Sequence, residues 1–418
     1  MRFPAFSTII GIVFLACIII PVAQAVEPIW IVNTSPGVEL TGVTISADGS
    51  LIVAGGDQLI GISRDGKKLW SGWGGELVEI NRDGKYIVTS YGSIVRLFDS
   101  NGVSLWDQSF QDSVTDISIT PDGLMIAAGS GTVVKSWYNS GAGLGSNTTR
   151  RIKHLRISPA KDQIVVTTGT ALRSFNLSYV PFWTDEEVSP DLVDMSADGT
   201  RLVTTSGNWI WLHHGSGTRI WEKHIQGGNI LSLAFSRDGS TIVTGQDDNI
   251  ITVLDNNSNV LWTAQAGFWV MSVGISDNGS VIVAGSMDKN LYIFDRRGTL
   301  LGTFQAAGMI KSRSVGISGD GTRIVAVDGA SVYGFSGSQF SRPTPAGTSG
   351  ATIIPSTVTP DKTLAPVTTP TLKATSLPGI GEPGETPIPA TTQQSGIPWI
   401  LSLIPVAVIA FILQKRRT

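Results

Sequence analysis

The chain has 418 residues, a formal net charge of −3 and 15% charged residues, so it can bury a large core and offers no basic stripe for nucleic acid. Its 48 glycines and short β-branched runs favour an all-β array over helices. The single cysteine, Cys17, sits in an N-terminal apolar segment, which excludes a disulfide or a cysteine-ligated metal from the folded part.

Residues 1–25 read as a secretory signal peptide: Arg2, an apolar run from Ile9 to Ile20, then Pro21 and the small-x-small site Ala23-Gln24-Ala25. An uncleaved anchor is one alternative. A lipoprotein, suggested by Leu15-Ala16-Cys17, is disfavoured because the residues after Cys17 stay apolar.

From Val26 to about Phe340 one turn motif recurs. It stands as Ser46-Ala47-Asp48-Gly49, Asn81-Arg82-Asp83-Gly84, Thr120-Pro121-Asp122-Gly123, a degraded Ser158-Pro159-Ala160-Lys161, Ser196-Ala197-Asp198-Gly199, Ser236-Arg237-Asp238-Gly239, Ser276-Asp277-Asn278-Gly279 and Ser318-Gly319-Asp320-Gly321. Asp-Gly and Asn-Gly tolerate positive φ and so favour tight hairpins. Spacings of 35 to 42 residues, each with four short alternating runs, are the sequence signature of propeller blades. The fourth run carries a tryptophan in most copies, Trp70, Trp106, Trp183, Trp221 and Trp262. Gly302 replaces it in the seventh copy, and the stretch 141–149 obscures it in the third. The eighth copy ends after three runs near Phe335, whereas a spare run, Ile29 to Val32 with Trp30, precedes the first motif. The expected fold is therefore an all-β, eight-bladed β-propeller over residues 26–340, closed by the N-terminal strand in blade 8. A seven-bladed ring is the alternative.

The repeats resemble WD40-like and PQQ-like propeller repeats over roughly residues 27–336. The cadence of Ser276 to Asp295 is WD40-like, and Phe98 to Trp106 (FDSNGVSLW) is similar to the PQQ-like motif in which a tryptophan packs between blades. There is no Gly-His start and no Trp-Asp end, so the WD40 hydrogen-bond tetrad is not implied. The pattern as a whole resembles archaeal cell-surface proteins with such repeats.

Residues 341–395 are dominated by Thr, Pro, Ser and Gly without apolar periodicity, the composition of a disordered stalk and of O-glycan acceptors. Residues 396–413 then form an uninterrupted apolar stretch before the basic tail 414–418, which suits a single transmembrane helix with a cytoplasmic end. A processed sorting tail would leave a similar pattern. The expected location is the cell membrane, single-pass, with the propeller outside. Sequons at Asn33, Asn147, Asn176 and Asn256 are candidate N-glycosylation sites, and Asn278, in a tight hairpin, is a poorer one.

Chemistry is harder to find in the sequence. His154, His213, His214 and His224 lack zinc spacing, and His213-His214 reads as a solvated turn of blade 5. A quinone-dependent dehydrogenase would need a cluster of acids and amides over the ring centre, and no paired carboxylates, nucleophile with base or phosphate loop stand out. No cofactor and no metal are expected. Asp57, Asp248 and Asp288 fit turn-fixing roles, in which Asp bonds its own backbone two residues on. The candidate binding face comprises Trp73, the acidic run Asp185, Glu186 and Glu187, and the pair Phe268 and Trp269, all placed in loops between blades. The expected function is a non-enzymatic protein- or glycan-binding platform whose partner is an extracellular protein or cell-envelope glycan. A surface polysaccharide hydrolase or lyase is the rival, and convergent acids, His or Arg at the ring centre would favour it. A structural part of a surface layer is a third reading.

Overall fold

The computed structural model describes residues 25–160 and 162–340. The expected stalk, transmembrane helix and basic tail, and all but the last residue of the expected signal peptide, lie outside them. Among the described residues no helix is long and apolar enough to cross a membrane.

The strands form eight four-stranded antiparallel sheets. Blades 1 to 7 run Leu40–Trp73, Leu77–Ser109, Val114–Thr148, His154–Asp185, Leu192–His224, Ile230–Gln265 and Val270–Gln305. Within each, four consecutive strands pair in sequence order from the innermost outward. Blade 8 takes three strands from Val315–Ser336, and its outer strand is Trp30–Asn33, paired in register Trp30 with Gly334 and Asn33 with Ser331. The first strands touch from blade to blade all the way round, blade 8 meeting blade 1.

The turn motif makes the first hairpin of the blades, as Ser-x-Asp-Gly in blades 1, 5, 6 and 8. Its Ser Oγ bonds the Asp carboxylate and accepts a backbone N–H five residues on, as Ser46 does with Asp48 (2.7 Å) and Leu51 (3.0 Å). Asp48 in turn accepts Ser50 N–H, and Gly49 takes φ +70°, where a side chain would strain. The turns also lace the ring on that face. Ala47 N–H donates to Arg82 O, Arg82 to Pro121, Ala197 to Arg237, Asp238 to Asp277, Asp277 to Gly319 and Gly319 back to Ala47, at 2.7–3.1 Å. Pro121 and Pro159 have no N–H to give, so blades 3 and 4 cannot pass this lacing on.

The core lies between blades. Eight buried apolar clusters sit one at each blade boundary, such as Leu51, Val53 and Leu59 of blade 1 against Val78, Ile87 and Phe98 of blade 2. Outer-strand tryptophans rivet six of the eight boundaries. Indole N–H groups of Trp30, Trp70, Trp106, Trp183, Trp221 and Trp262 donate to carbonyls in the outer turn of the next blade at 2.9–3.0 Å. The rings lie against glycines there: a Cβ on Gly66, Gly102 or Gly217 would come within 2.4–2.5 Å of Trp30, Trp70 or Trp183.

The two blades without that tryptophan solve the problem differently. In blade 3, Gly145 opens the slot and Tyr179 from blade 4 fills it, its hydroxyl bonding Ser136 Oγ at 2.8 Å and its carbonyl accepting Asn147 Nδ2 at 2.9 Å. Beside Gly302 in blade 7, residue Ala25 bridges Thr303, and Val26 donates to Thr303 O and is buried with Phe335 and Phe340.

Candidate functional site

The loops between second and third strands, and those between blades, emerge on the face opposite the laced turns. Phe268 and Trp269 occupy the connection from blade 6 to blade 7, stacked at 5.4 Å and 15° and each more than 40% exposed. Their backbone is pinned: Phe268 O accepts Ser286 Oγ (2.9 Å), Trp269 O accepts Met287 N–H (3.0 Å), and Gly267 N–H donates to Asp288 (2.6 Å). Asp288 also accepts Asn290 N–H and the Tyr292 hydroxyl, bonds that outweigh burial and hold its carboxyl below the usual range. Asp248 acts alike on Ile250 and Gly228. Both fix their own turn as expected and, beyond that, cap the neighbouring inter-blade loop. Asp57 caps Glu39 N–H (2.9 Å).

Trp73 ends the outer strand of blade 1 and is 81% exposed. Trp209, half-exposed on blade 5, stacks on Trp211 and tilts against His224. The acidic run is placed differently from the expected open loop. Asp185 is the last residue of the outer strand of blade 4, its carboxylate held by Arg219 of blade 5 at 3.0 Å. Glu187 meets the same guanidinium at 3.2 Å, and Glu186 lies 3.6 Å from Arg173. Asp185 and Glu187 thus fasten blade 4 to blade 5, whereas Glu186 turns back to a strand of blade 4 itself.

The reading of His213 as a solvated turn is incorrect. His213 is fully buried, with Nε2 3.4 Å from Asp185 Oδ2 and no hydrogen bond of good geometry at either ring nitrogen. Burial pushes its pKa down to about 4 against the pull of Asp185. His214, the next residue, is exposed. Of the sequons, Asn33 is exposed but accepts Ser331 Oγ (2.8 Å), Asn147 gives its amide to Tyr179, Asn176 accepts two turn N–H groups, and Asn256 lies beneath Trp221 through its carbonyl.

The ring centre holds a cluster that the sequence reading missed. A cavity of about 380 Å³ is lined on one side by Glu79, His154 and Arg156, and on the other by Leu231, Leu233, Met271 and Val273. Asp116, fully buried, accepts Arg313 Nη2 (2.8 Å) and Leu155 N–H (2.9 Å) and lies 3.2 Å from His154 Nδ1. Arg156 stands 3.5–3.7 Å from Asp116, Glu79 and Asp194. Burial pushes Glu79 up to about 7, Arg156 opposing and Asp116 adding to the rise. Burial acts the same way on Asp116, but Arg313, His154 and Arg156 overcome it and keep the carboxyl well below the usual range. The cluster spans blades 2 to 5, the sector that includes the two proline-interrupted turns. Arg313, at φ +58° in the connection to blade 8, reaches across the channel to blade 3, and Arg82 likewise crosses from blade 2 to Asp277 of blade 7 at the laced face. A signal was present: Glu79, Arg156 and Asp194 each stand two residues before the turn motif, at positions filled by Ala234, Gly274 and Gly316 elsewhere.

Among the described residues no group of three or more His, Cys, Asp or Glu is arranged to hold a metal ion. Residues 215–255 and 259–295 match the family described as WD domain, G-beta repeat. The chain thus carries WD40 repeats on an eight-bladed β-propeller. Its backbone is similar to that of Sqt1 from Chaetomium thermophilum (16% identity, TM-score 0.63, 74% of this chain and 98% of that one). It is also similar to Sqt1 bound to the N-terminus of the ribosomal protein L10 (16%, 0.60, 72% and 97%) and to the C-terminal WD40 domain of Sif2 (14%, 0.65, 75% and 99%). At these identities the likeness is one of fold. No curated protein matches the chain in sequence.

Proposed function

We propose that this protein is a non-enzymatic interaction platform, a propeller held outside the cell by a single C-terminal membrane span and presenting the face of Phe268 and Trp269 to a protein or cell-envelope glycan. The observation that carries the binding role is that stacked pair, exposed yet fixed by two hydrogen bonds to its own backbone and a third to the preceding Gly267. Aromatic anchors whose loops are already ordered bind without a large entropic penalty. The Sqt1 structure with a bound L10 N-terminus supports the choice of a protein ligand for one such face. The extracellular and tethered placement rests on the signal-like 1–25, the Thr/Pro-rich 341–395 and the apolar 396–413, together with the likeness to archaeal surface propellers.

Cross-linking on intact cells, followed by capture of the full chain, tests both parts. A stoichiometric partner lost in a Phe268→Ala/Trp269→Ala variant is expected. Capture unchanged by that variant overturns the face, and resistance of the propeller to protease added outside cells overturns the placement.

A second reading, hydrolysis or lysis of a surface polysaccharide, is favoured by one observation, the Glu79 and Asp116 carboxyls pushed apart in a central cavity. The environment of Asp116 weighs against it: the carboxylate is fully buried and occupied by Arg313, His154 and Leu155 N–H, which suits a strut better than a nucleophile. Polysaccharide cleavage that vanishes in Glu79→Gln would restore that reading.

A further inference from the structure

Trp73 is superfluous to the architecture. Six outer-strand tryptophans lie half-buried with their N–H groups bonded to the next blade, and blade 1 already has its own in Trp70. Trp73 stands three residues further on, between Gly72 and Gly74, with 81% of its surface in solvent. A Cβ on Gly72 would touch nothing within 4 Å, whereas one on Gly74 would strike Tyr91 Cε2 at 2.9 Å. Bare backbone therefore leaves the indole uncovered and lets the Tyr91 ring close in behind it.

The two rings border a cleft of about 420 Å³ at the junction of blades 1 and 2, floored by Ile94 and edged by Asp57 and Arg96. That volume belongs to small-ligand sites, typically about 300–1,000 Å³. Neither the Trp73 N–H nor the Tyr91 hydroxyl has a hydrogen-bond partner among the described residues. Asp57 uses Oδ2 for Glu39 N–H, and the nearest carboxylate to Arg96, on Asp107, is 3.9 Å away. The cleft thus combines two exposed aromatic faces with an acceptor and a multiple donor that retain free capacity. An apolar peptide side chain would strip water from Asp57 and Arg96 without replacing its bonds. A pyranose satisfies both requirements, since its C–H face packs on an aromatic ring while its equatorial hydroxyls donate to a carboxylate and accept from a guanidinium.

We infer that the Trp73–Tyr91 cleft is a carbohydrate subsite for one or two neutral sugar rings. This deepens the platform reading and rests on it for context, but it assigns the glycan to a place distinct from the Phe268–Trp269 pair.

The test is retention of the purified full-length protein on immobilised neutral di- to tetrasaccharides built from glucose, mannose and galactose, with tryptophan fluorescence as a second readout. The expected result is binding weakened at least about tenfold by Trp73→Ala and by Tyr91→Ala, unaffected by Phe268→Ala/Trp269→Ala, with a blue shift lost in the Trp73 variant. Both cleft variants are first compared with the parent by thermal unfolding, and Tyr91→Ala stands in if Trp73→Ala does not fold. Failure to bind any of these sugars overturns the inference, as does binding unchanged in both cleft variants. Either failure, alongside a protein partner that the Phe268/Trp269 variant loses, would remove the subsite and leave the platform standing.

Discussion

His213, fully buried, and Glu79, half-buried at the wall of the central cavity, are ionisable groups whose shifts run in opposite senses. His213 carries a pKa lowered to about 4, against an ordinary 6.5, so between those values the unfolded chain binds the extra proton and acid destabilises the fold. Glu79, raised from 4.5 to about 7, makes the folded chain bind the extra proton in nearly the same window, and that contribution is lost as pH rises through 7. At about 1.36 kcal/mol per pH unit each is worth roughly 3 kcal/mol, and in the parent they largely cancel. Equivalent positions to His213 hold Ile62, Phe98, Phe294 and Phe335, so His213→Phe fits the slot. Denaturant unfolding from pH 7 to 4.5 should show His213→Phe gaining stability on acidification and Glu79→Gln losing it. Parallel slopes in the two variants would show that the two groups are not shifted in opposite directions.

Single outer strands carry a disproportionate share of the stability, and Trp30–Asn33 is the clearest case. Trp30 lies over Gly334 of its own blade and Gly66 of the next, and its N–H reaches Arg64 O at 3.0 Å. Trp30→Ala is expected to cost about 2–3 kcal/mol in chemical denaturation, below the range for a fully buried aromatic because the ring is half-buried. Trp73→Ala, on the outer strand of the next blade and 81% exposed, should stay within about 0.5 kcal/mol of the parent. Equal losses would mean that the indole over Gly66 is not a rivet. Elements of this kind were legible because each carries its own local grammar: a Ser-x-Asp-Gly turn, a period-two run, a closing tryptophan. The spare strand with Trp30 could be assigned for the same reason. What no local grammar records is a partner chosen by the ring. Tyr179 fills the space above Gly145 from 34 residues away, Arg219 takes up Asp185 and Glu187, and Asp116 gathers Arg313, His154 and Arg156 from two other parts of the chain. Phe268, Trp269 and Trp73 could be singled out as surplus aromatics, whereas the cleft that Trp73 forms with Tyr91 follows only from the folded ring.

Across the whole molecule, two kinds of fastening divide the circle. Turn-to-turn hydrogen bonds run from blade 5 through 8 to blade 3, and the ionic cluster covers blades 2 to 5, where prolines at 121 and 159 break the lacing. Restoring a donor with Pro159→Ala should add to stability if the turns are close enough to bond, read as a higher unfolding midpoint at unchanged slope. A lower midpoint would show that the proline's rigidity outweighs the missing bond.

The two ends of the propeller meet at one seam. Gln339 Nε2 donates to Glu27 O at 2.8 Å, and Phe340 is buried with Val26 against blade 7. A short linker can therefore join residue 340 to residue 26, and new termini can be cut in the exposed loop at 226–229 between blades 5 and 6. Such a circular permutant should fold with eight blades and retain the binding of the parent. The seam between residues 26 and 340 is then one of eight blade junctions at which the same ring can be opened.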